Sequence, residues 1–196
     1  MTKVAILVDN MYFEHAATAY NAYPSDLAKL PSIVIGKDEE HYKTYVFDAL
    51  PWVPDSPAPS DIEKKNKKAG YLSALKYKER IVVEYGHVVP KVRTCPNCGA
   101  QIVVPIQKAV DVKISVRLVS LSWNKIVDKI VLITGDADLV PAVEDVEKSG
   151  VIIKLAFVRV QEVGTSQGLI KACPEKHEFT PQEFAFMKYT GQAPRV

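Results

Sequence analysis

Four aspartates stand beside the ends of apolar runs or at the start of a helical pattern, where a parallel sheet would present them to a ligand. These are Asp9, Asp111, Asp136 and Asp138. Asp9 ends the apolar run of residues 4–8, Asp136 and Asp138 follow a second run at residues 129–133, and Asp111 begins a helical segment that leads into that second run. Ligands of open α/β sheets bind beyond the carboxyl ends of the strands. We therefore expect these carboxylates to meet at one edge of a sheet.

A cluster of carboxylates has a definite chemical use. Burying an unpaired, ionised acid costs several kcal/mol. Neighbouring carboxylates also raise one another's pKa. A divalent cation removes this repulsion, and oxygen ligands favour Mg²⁺ or Mn²⁺ over zinc. Such an ion binds phosphate oxygens and lowers the pKa of a bound water for attack on a phosphodiester. For Asp111, Asp136 and Asp138, a role as helix caps or first-turn acids is the competing interpretation.

Apolar runs and helical spacings alternate along the chain, which predicts an α/β fold with a mostly parallel central sheet covered on both faces. Asn10 is the predicted cap of the first helix, and Ser60 with Glu63 has the capping-box pattern of the second. Short helices and a loose tail are expected after residue 158. The predicted strands are residues 4–8, 44–47, 81–85, 129–133 and 151–158, and the predicted helices are residues 11–20, 60–78, 110–123 and 139–149.

The second predicted helix is rich in lysine. Lys64 and Lys68 belong to a basic stretch, residues 61–80, in which Tyr71 and Tyr77 are interleaved. Cations engage phosphates, and aromatic faces stack on unpaired bases. The stretch is therefore a candidate surface for single-stranded RNA, with an ordinary solvated helix face as the alternative.

Three further side chains near the aspartates are candidates for substrate binding. They are Asn10, Lys108 and Thr134. Lys108 and Lys113 both stand close to Asp111 in the sequence. Helical geometry turns Lys113 about 200° away from Asp111, so Lys108 is the better candidate for contact with a phosphate.

Cys95 and Cys98 form the sequence Cys-Pro-Asn-Cys-Gly within residues 86–106, an irregular segment that suggests an inserted hairpin or knuckle. Two thiolates in a turn are typical of a structural zinc site, which needs four ligands. His87 and Cys173 are the two residues that could complete it. Three interpretations stay open: zinc with distant ligands of the same chain, zinc shared across a homodimer, or free thiols.

The composition is that of an ordinary globular domain. Hydrophobic residues make up 47% and charged residues 24% of the 196 residues, and the formal net charge is +2. A polyanion partner would therefore need a local basic face. No apolar run is long enough to span a membrane, and no signal-peptide pattern is present, so we expect a cytoplasmic protein with no membrane partner. P-loop, dinucleotide-binding and nucleophile-elbow patterns are also missing from the sequence.

The order of these motifs resembles one known family. The segments VAILVDN, YVFDALP, KAVDVKIS and IVLITGDADLVPAVEDVEKSGVIIKLAF look like those of the NYN domain, a PIN-like nuclease family that includes the LabA-like proteins. The resemblance implies a PIN-like three-layer α/β/α sandwich over residues 1–186, with residues 86–106 as an insert and residues 187–196 as a tail. It also implies metal-dependent hydrolysis of RNA, with Asp9, Asp111, Asp136 and Asp138 as the metal site.

One departure from the family pattern keeps other functions open. Members often carry Asp-Gly-x-Asn at the first motif, whereas Asn10, Met11 and Tyr12 follow Asp9 here. This motivates a second hypothesis, an RNA-binding regulatory module with weak or no nuclease activity. A third, a phosphatase-like hydrolase with a nucleophilic aspartate, is weakest because Met11 stands where such enzymes use a second acid. Asp48 also ends a predicted strand, and we assign it a supporting or structural role.

Overall fold

The computed structural model describes residues 1–190 of the chain. The strands within this range are Thr2–Asp9 (β1), Glu39–Asp48 (β2), Ile81–Tyr85 (β3), His87–Thr94 (β4), Gln101–Lys108 (β5), Lys129–Ile133 (β6), Ile152–Phe157 (β7) and Glu175–Glu178 (β8). Six of them form one sheet in the order β3-β2-β1-β6-β7-β8. All neighbours in this sheet are parallel. The expected α/β fold with a parallel central sheet is confirmed.

Helices cover both faces of the sheet. They are Asn10–Ala19 (α1), Pro31–Val34 (α2), Pro59–Lys76 (α3), Val110–Trp123 (α4), Val140–Lys148 (α5), Gln167–Ala172 (α6) and Pro181–Met187 (α7). Successive side chains of a strand point to opposite faces, so β1 supplies both cores. Val4, Ile6 and Val8 pack with α1, α3 and α7 on one face. Ala5 and Leu7 pack with α4, α5 and α6 on the other.

The strand order reverses beside β1, and this reversal places the candidate site. From β1 the chain moves outward through β2 to β3, then returns to place β6 against the free side of β1. Val8 at the end of β1 lies opposite Ile133 at the end of β6. Ligand clefts of doubly wound sheets form at such a reversal, outside the carboxyl ends of the strands.

Residues 86–106, whose irregular pattern suggested an inserted hairpin or knuckle, form most of an antiparallel hairpin. His87 pairs with Lys108 at its base, and Thr94 pairs with Gln101 near its turn. The strands β4 and β5 make a separate two-stranded sheet. Gly86 packs closely against the end of β5 and the start of α4. A Cβ at this position would lie 2.6 Å from both the backbone oxygen of Lys108 and Cγ2 of Val110, so only glycine fits.

Two predicted helix starts were wrong. Asp9 rather than Asn10 caps α1, because its carboxylate accepts the N–H groups of Met11 and Tyr12. The second helix begins at Pro59 instead of Ser60, and Asp61 accepts the N–H of Ala58 at 3.1 Å. Asp9 accepts N–H groups of the first turn, whereas Asp61, itself in the first turn, accepts the N–H of the cap residue Ala58. A carboxylate at either position also interacts favourably with the helix dipole.

The carboxyl-terminal part departs from the expected short helices in one respect. The strand β8, whose sequence is Glu-Lys-His-Glu, adds a parallel edge to the sheet. No helix among residues 1–190 is long and apolar enough to cross a membrane. The expected boundary at residue 186 stays a prediction: Met187 still belongs to α7, and residues 191–196 lie outside the described part of the chain.

Candidate active site at the carboxyl edge of the sheet

Asp9 is the buried centre of the site. Its Oδ1 accepts the N–H groups of Met11 at 3.1 Å and Tyr12 at 3.3 Å, and its Oδ2 lies 3.4 Å from the hydroxyl of Thr134. Burial raises the pKa of Asp9 to about 6, and the negative charge of Asp111 adds to the rise. The two N–H groups oppose this shift but do not cancel it. The carboxylate thus lacks part of the stabilisation that its negative charge requires.

The loop after β6 carries the second acid. The N–H of Asp136 donates to the Thr134 hydroxyl at 3.3 Å, and Oδ1 of Asp136 accepts the N–H of Asp138 at 2.9 Å. Gly135 lies so close to the neighbouring loop that a Cβ would fall 2.2 Å from the backbone oxygen of Gly164. Only glycine lets the backbone approach this closely. Glycine therefore fixes where the Asp136 carboxylate emerges.

Asp111 brings a third acid from the first turn of α4. The helix follows Ala109, whose positive φ of 68° turns the chain sharply out of the hairpin. Partial burial raises the pKa of Asp111, and the negative charges of Asp136 and Asp138 raise it further. The charge of Asp111 thus acts on Asp9, and those of Asp136 and Asp138 act on Asp111, so acids from three separate segments lie near one another.

These acids open into one cleft, which we call the aspartate cleft. Its volume is about 890 Å³, and Asp9, Asp111 and Asp136 line it. Other walls come from β2 and the loop after it, from α3, and from the hairpin. The aromatic and basic side chains that line it include Tyr23, Trp52, Lys64, Lys67, Lys68 and Tyr71.

A buried polar network forms one wall of the cleft. Lys68 places its Nζ 2.6 Å from both Oδ2 of Asp48 and Oε2 of Glu14. Asn10 donates from Nδ2 to Asp48 at 2.5 Å and to Glu14 at 3.0 Å. The Oδ1 of Asn10 is buried and has no hydrogen-bond donor among residues 1–190. Lys68 neutralises the two carboxylates, while the Asn10 oxygen remains an open acceptor.

Comparison with family models decides the family. The model of the NYN domain matches residues 3–180, nearly the whole chain. The chain belongs to the NYN domain family. This is a PIN-like nuclease family, and the expected PIN-like fold is confirmed.

The other comparisons concern the fold alone. A crystal structure of a protein of unknown function from Vibrio parahaemolyticus has a TM-score of 0.52 and 19% sequence identity, covering 91% of this chain and 93% of the other. At this identity the likeness supports only a shared architecture. No curated protein matches the sequence significantly.

The NYN domain brings some predicted site residues together and keeps others apart. Four predicted site residues line the aspartate cleft, namely Asp9, Asp111, Asp136 and Lys64, and the Thr134 hydroxyl lies 3.4 Å from Oδ2 of Asp9. The residues outside the lining are Asp138, Lys108, Asn10, Cys95 and Cys98. Asp138 and Lys108 are exposed, and Asn10 reaches the cleft only through Asp48 and Glu14.

Two side chains near the cleft have their polar groups engaged within the protein. Lys68, predicted to bind substrate, is held by Asp48 and Glu14 with its side chain only 15% exposed. Its positive charge is neutralised by these two carboxylates. Tyr12, which stands where the family often has asparagine, is structural: its hydroxyl accepts the N–H of Val158 at 3.1 Å and bonds to the hydroxyl of Thr165 at 2.8 Å.

Sequence reasoning missed Glu14, Tyr23 and Trp52. Glu14 lies four residues after Asn10, so that both face the same side of α1, and this spacing is the one signal that was available. Tyr23 precedes a proline-containing turn, and Trp52 lies in the proline-rich loop after β2. Neither carries a local pattern that would reveal a cleft wall.

The aspartates of the cleft offer oxygen ligands, the kind that hard divalent cations such as Mg²⁺ or Mn²⁺ prefer. Within residues 1–190, no group of three or more His, Cys, Asp or Glu side chains is arranged to hold an ion by itself. Mg²⁺, however, keeps several waters and is usually bound by one or two carboxylates together with substrate phosphates. Asp9, Asp111 and Asp136 line one cleft, and the pKa values of Asp9 and Asp111 are raised first by burial and then by neighbouring negative charge, both of which a bound cation would offset.

Proposed function

We propose that this NYN domain is a metal-dependent endoribonuclease that hydrolyses single-stranded RNA in the aspartate cleft. The observation that carries the proposal is the convergence of Asp9, Asp111 and Asp136, from three distant segments, on one cleft. Exposed lysines of α3 also line this cleft. Carboxylates of this kind serve phosphodiester hydrolysis when they bind Mg²⁺ or Mn²⁺. Membership of a PIN-like nuclease family supports the same chemistry.

The aspartates would hold the ion, with Asp9 contributing Oδ2. Its Oδ1 is occupied by the N–H groups at the start of α1, and the Thr134 hydroxyl orients the other oxygen. When bound, the ion would stabilise negative charge on the phosphate and lower the pKa of an attacking water. Asn10 would act indirectly, because its Nδ2 holds Asp48 and Glu14 in place beside the cleft.

Phosphate binding is assigned to the exposed lysines of α3. Lys64 and Lys67 line the cleft and are exposed to solvent. Lys68 instead keeps Asp48 and Glu14 paired, which leaves the exposed cations to meet the negatively charged backbone of the substrate. Contacts with phosphates supply affinity without sequence specificity.

Aromatic side chains support a preference for single strands. Trp52 is half-buried, and Tyr23 is 51% exposed; both line the cleft. Unpaired bases can stack on such rings, whereas the bases of a duplex are already stacked. Tyr77, predicted to share this role, is 89% exposed and does not line the cleft.

An RNA-binding module without cleavage is the second candidate. Two observations favour it: no group of three metal-ligating side chains is preformed among residues 1–190, and Asn10 is engaged with Asp48 and Glu14. In that case the cleft would bind RNA through its lysines and aromatic rings alone.

One experiment separates the two. A panel of single-stranded, structured and duplex RNA and DNA is incubated with the protein in Mg²⁺, Mn²⁺ or EDTA, beside Asp136→Asn and the exposed control Asp38→Asn. A nuclease cuts single-stranded RNA only with metal, and Asp136→Asn abolishes the cut while Asp38→Asn does not. RNA binding that persists in EDTA, with no cleavage in either metal, favours the binding module. Cleavage that is equal in Asp136→Asn excludes the proposed site.

A further inference from the structure

The turn of the β4–β5 hairpin has the geometry of a metal knuckle. Cys95 donates its N–H to Ala100 at 2.8 Å, and its carbonyl accepts the N–H of Gly99 at 2.9 Å. Gly99 has a φ of +73°, which favours glycine. The nearby backbone N–H groups of Asn97 and Cys98 lower the pKa of the Cys95 thiol, and the thiolate is the form that binds zinc.

A redox role for these thiols does not fit the turn. In redox pairs of this spacing, the first cysteine is activated at the start of a helix. Here Cys95 follows β4, Cys98 precedes β5, and no helix begins at either. Ligation of a metal fits the turn better.

Within residues 1–190, no further side chain of the same chain completes the site. No third His, Cys, Asp or Glu is placed with the two thiols among residues 1–190, and residues 191–196 contain no such side chain. His87 lies at the base of the hairpin, about 25 Å along the strand from Cys95 at about 3.3 Å per residue. Cys173 is fully buried in the core beneath α6. Both intramolecular completions considered from the sequence are excluded.

The end of the hairpin also exposes apolar side chains. Val92 and Val103 are cross-strand partners that are 57% and 50% exposed, and Ile102 beside them is 50% exposed. A two-stranded hairpin is marginally stable in water unless something packs on it. An incomplete metal site and a set of solvent-exposed apolar side chains therefore lie at the same end of the hairpin.

We propose that Cys95 and Cys98 form half of a tetrahedral zinc site, which the same two cysteines of a second copy of this chain complete. Two identical pairs supply the four thiolates that a closed structural site needs. A two-fold axis through the metal would bring the two Val92–Val103 patches together, as a self-complementary interface requires. Lys91 and Arg93 of β4 would offset the negative charge of a zinc ion bound to four thiolates.

The test measures metal content and oligomeric state on the same full-length protein. Purified protein is loaded with zinc alone, and its metal is determined by mass spectrometry while its mass in solution is determined by light scattering. The expected result is one zinc ion per two chains, a dimer, and conversion to monomers with a strong chelator. Cobalt in place of zinc should give the intense thiolate charge-transfer bands of a four-sulfur site, which the aspartate cleft cannot produce.

Variants decide which residues are responsible. Cys98→Ser is expected to lose the cobalt bands and the dimer, whereas Cys173→Ala, which removes the third thiol, should retain both. One zinc ion per monomer, a dimer that survives Cys98→Ser and chelation, or an intramolecular Cys95–Cys98 disulfide with no zinc binding would each overturn the proposal. The cobalt bands of the unaltered protein provide the answer if a variant fails to fold. None of these measurements depends on whether the protein cuts RNA.

Discussion

The hydroxyl of Thr134 lies 3.4 Å from Oδ2 of Asp9, joining the ends of the adjacent strands β1 and β6. Both residues continue from the Val8–Ile133 pair of the parallel ladder, so the sheet register itself brings them together. The same hydroxyl accepts the N–H of Asp136 at 3.3 Å. One threonine therefore links the buried aspartate to the loop that carries the second acid.

The ionised Asp9 carboxylate is expected to destabilise the metal-free protein. Its pKa is raised to about 6 by burial and by the charge of Asp111, whereas an unfolded aspartate titrates near 3.9. Between these values the folded chain holds a proton that the unfolded chain has lost, so the free energy of unfolding falls as the pH rises. The difference of about two pKa units corresponds to about 3 kcal/mol.

Asp9→Asn should therefore be more stable than the natural protein at pH 7 in EDTA, by about 2–3 kcal/mol at most. Asparagine keeps an oxygen that can accept the N–H groups at the start of α1. Urea unfolding from pH 4 to pH 7.5 checks this, and the gain should vanish at the acidic end. Asp38→Asn serves as the exposed control. A variant less stable than the natural protein at pH 7 would contradict the expectation.

Removal of the Lys68 charge is expected to destabilise the fold. Lys68→Met would leave Asp48 and Glu14 facing each other without their shared cation. Breaking a buried pair in this way costs about 3–5 kcal/mol, and we expect about 3 kcal/mol because the Lys68 side chain is still 15% exposed. Urea unfolding at pH 7 measures the loss.

Lys67→Met is the matched control for that variant. Lys67 is the preceding residue on α3, and it pairs only with Glu63 one turn earlier, where both side chains are exposed. Such pairs contribute little to stability. Equal losses for the two variants would show that the network of Asp48, Glu14 and Lys68 has no special stabilising role.

The parts of the fold that could be predicted are those encoded by local periodicity. The buried strands β1 and β6 read as continuous apolar runs because both of their faces are covered. The edge strand β8, with the sequence Glu-Lys-His-Glu, has no apolar pattern, since it lies at the edge of the sheet and pairs only with β7. Its strand conformation comes from the neighbour and not from its own residues.

The sequence likewise predicts one part of the candidate site and not another. Aspartates at strand ends are visible in the sequence, because the fold class places all such ends at one edge. The pairing of Lys68 with Glu14 and Asp48 was not, because it joins α3 to α1 and β2 across the cleft. A run of lysines looks the same whether one member is buried or all are solvated. Only the packing of α3 on the sheet separates Lys68 from Lys67.

Metal binding should appear as thermal stabilisation that depends on the aspartates. Mn²⁺ relieves the repulsion between Asp9, Asp111 and Asp136 in the folded state only, so it should raise the melting temperature. Asp111→Asn removes one oxygen ligand and one charge, and we expect most of the shift to be lost. Differential scanning fluorimetry with Mn²⁺, Mg²⁺ and no metal measures it. A shift that is unchanged in Asp111→Asn but lost in Cys98→Ser would place the ion at the hairpin instead.

Trp52 is expected to report directly on binding of single-stranded RNA. The chain has two tryptophans, and the other, Trp123, lies on α4 with its Nε1 bonded to Asp145. In a Trp123→Phe background, fluorescence therefore comes from Trp52 alone. In EDTA, where a metal-dependent enzyme cannot cut, stacking of a base on the indole should quench this signal with single-stranded RNA and much less with duplex.

The loss of this ring should weaken binding by a predictable amount. Stacking of a base on an aromatic side chain contributes about 1–3 kcal/mol, so Trp52→Ala should raise the dissociation constant for single-stranded RNA by roughly 5- to 150-fold. The affinity for duplex should hardly change, since duplex bases are not free to stack. Trp123→Phe, measured in the same titrations, should bind as the natural protein does. If Trp52→Ala binds single-stranded RNA with unaltered affinity, the aromatic wall of the cleft does not read unpaired bases, and the proposed strand preference loses its physical basis.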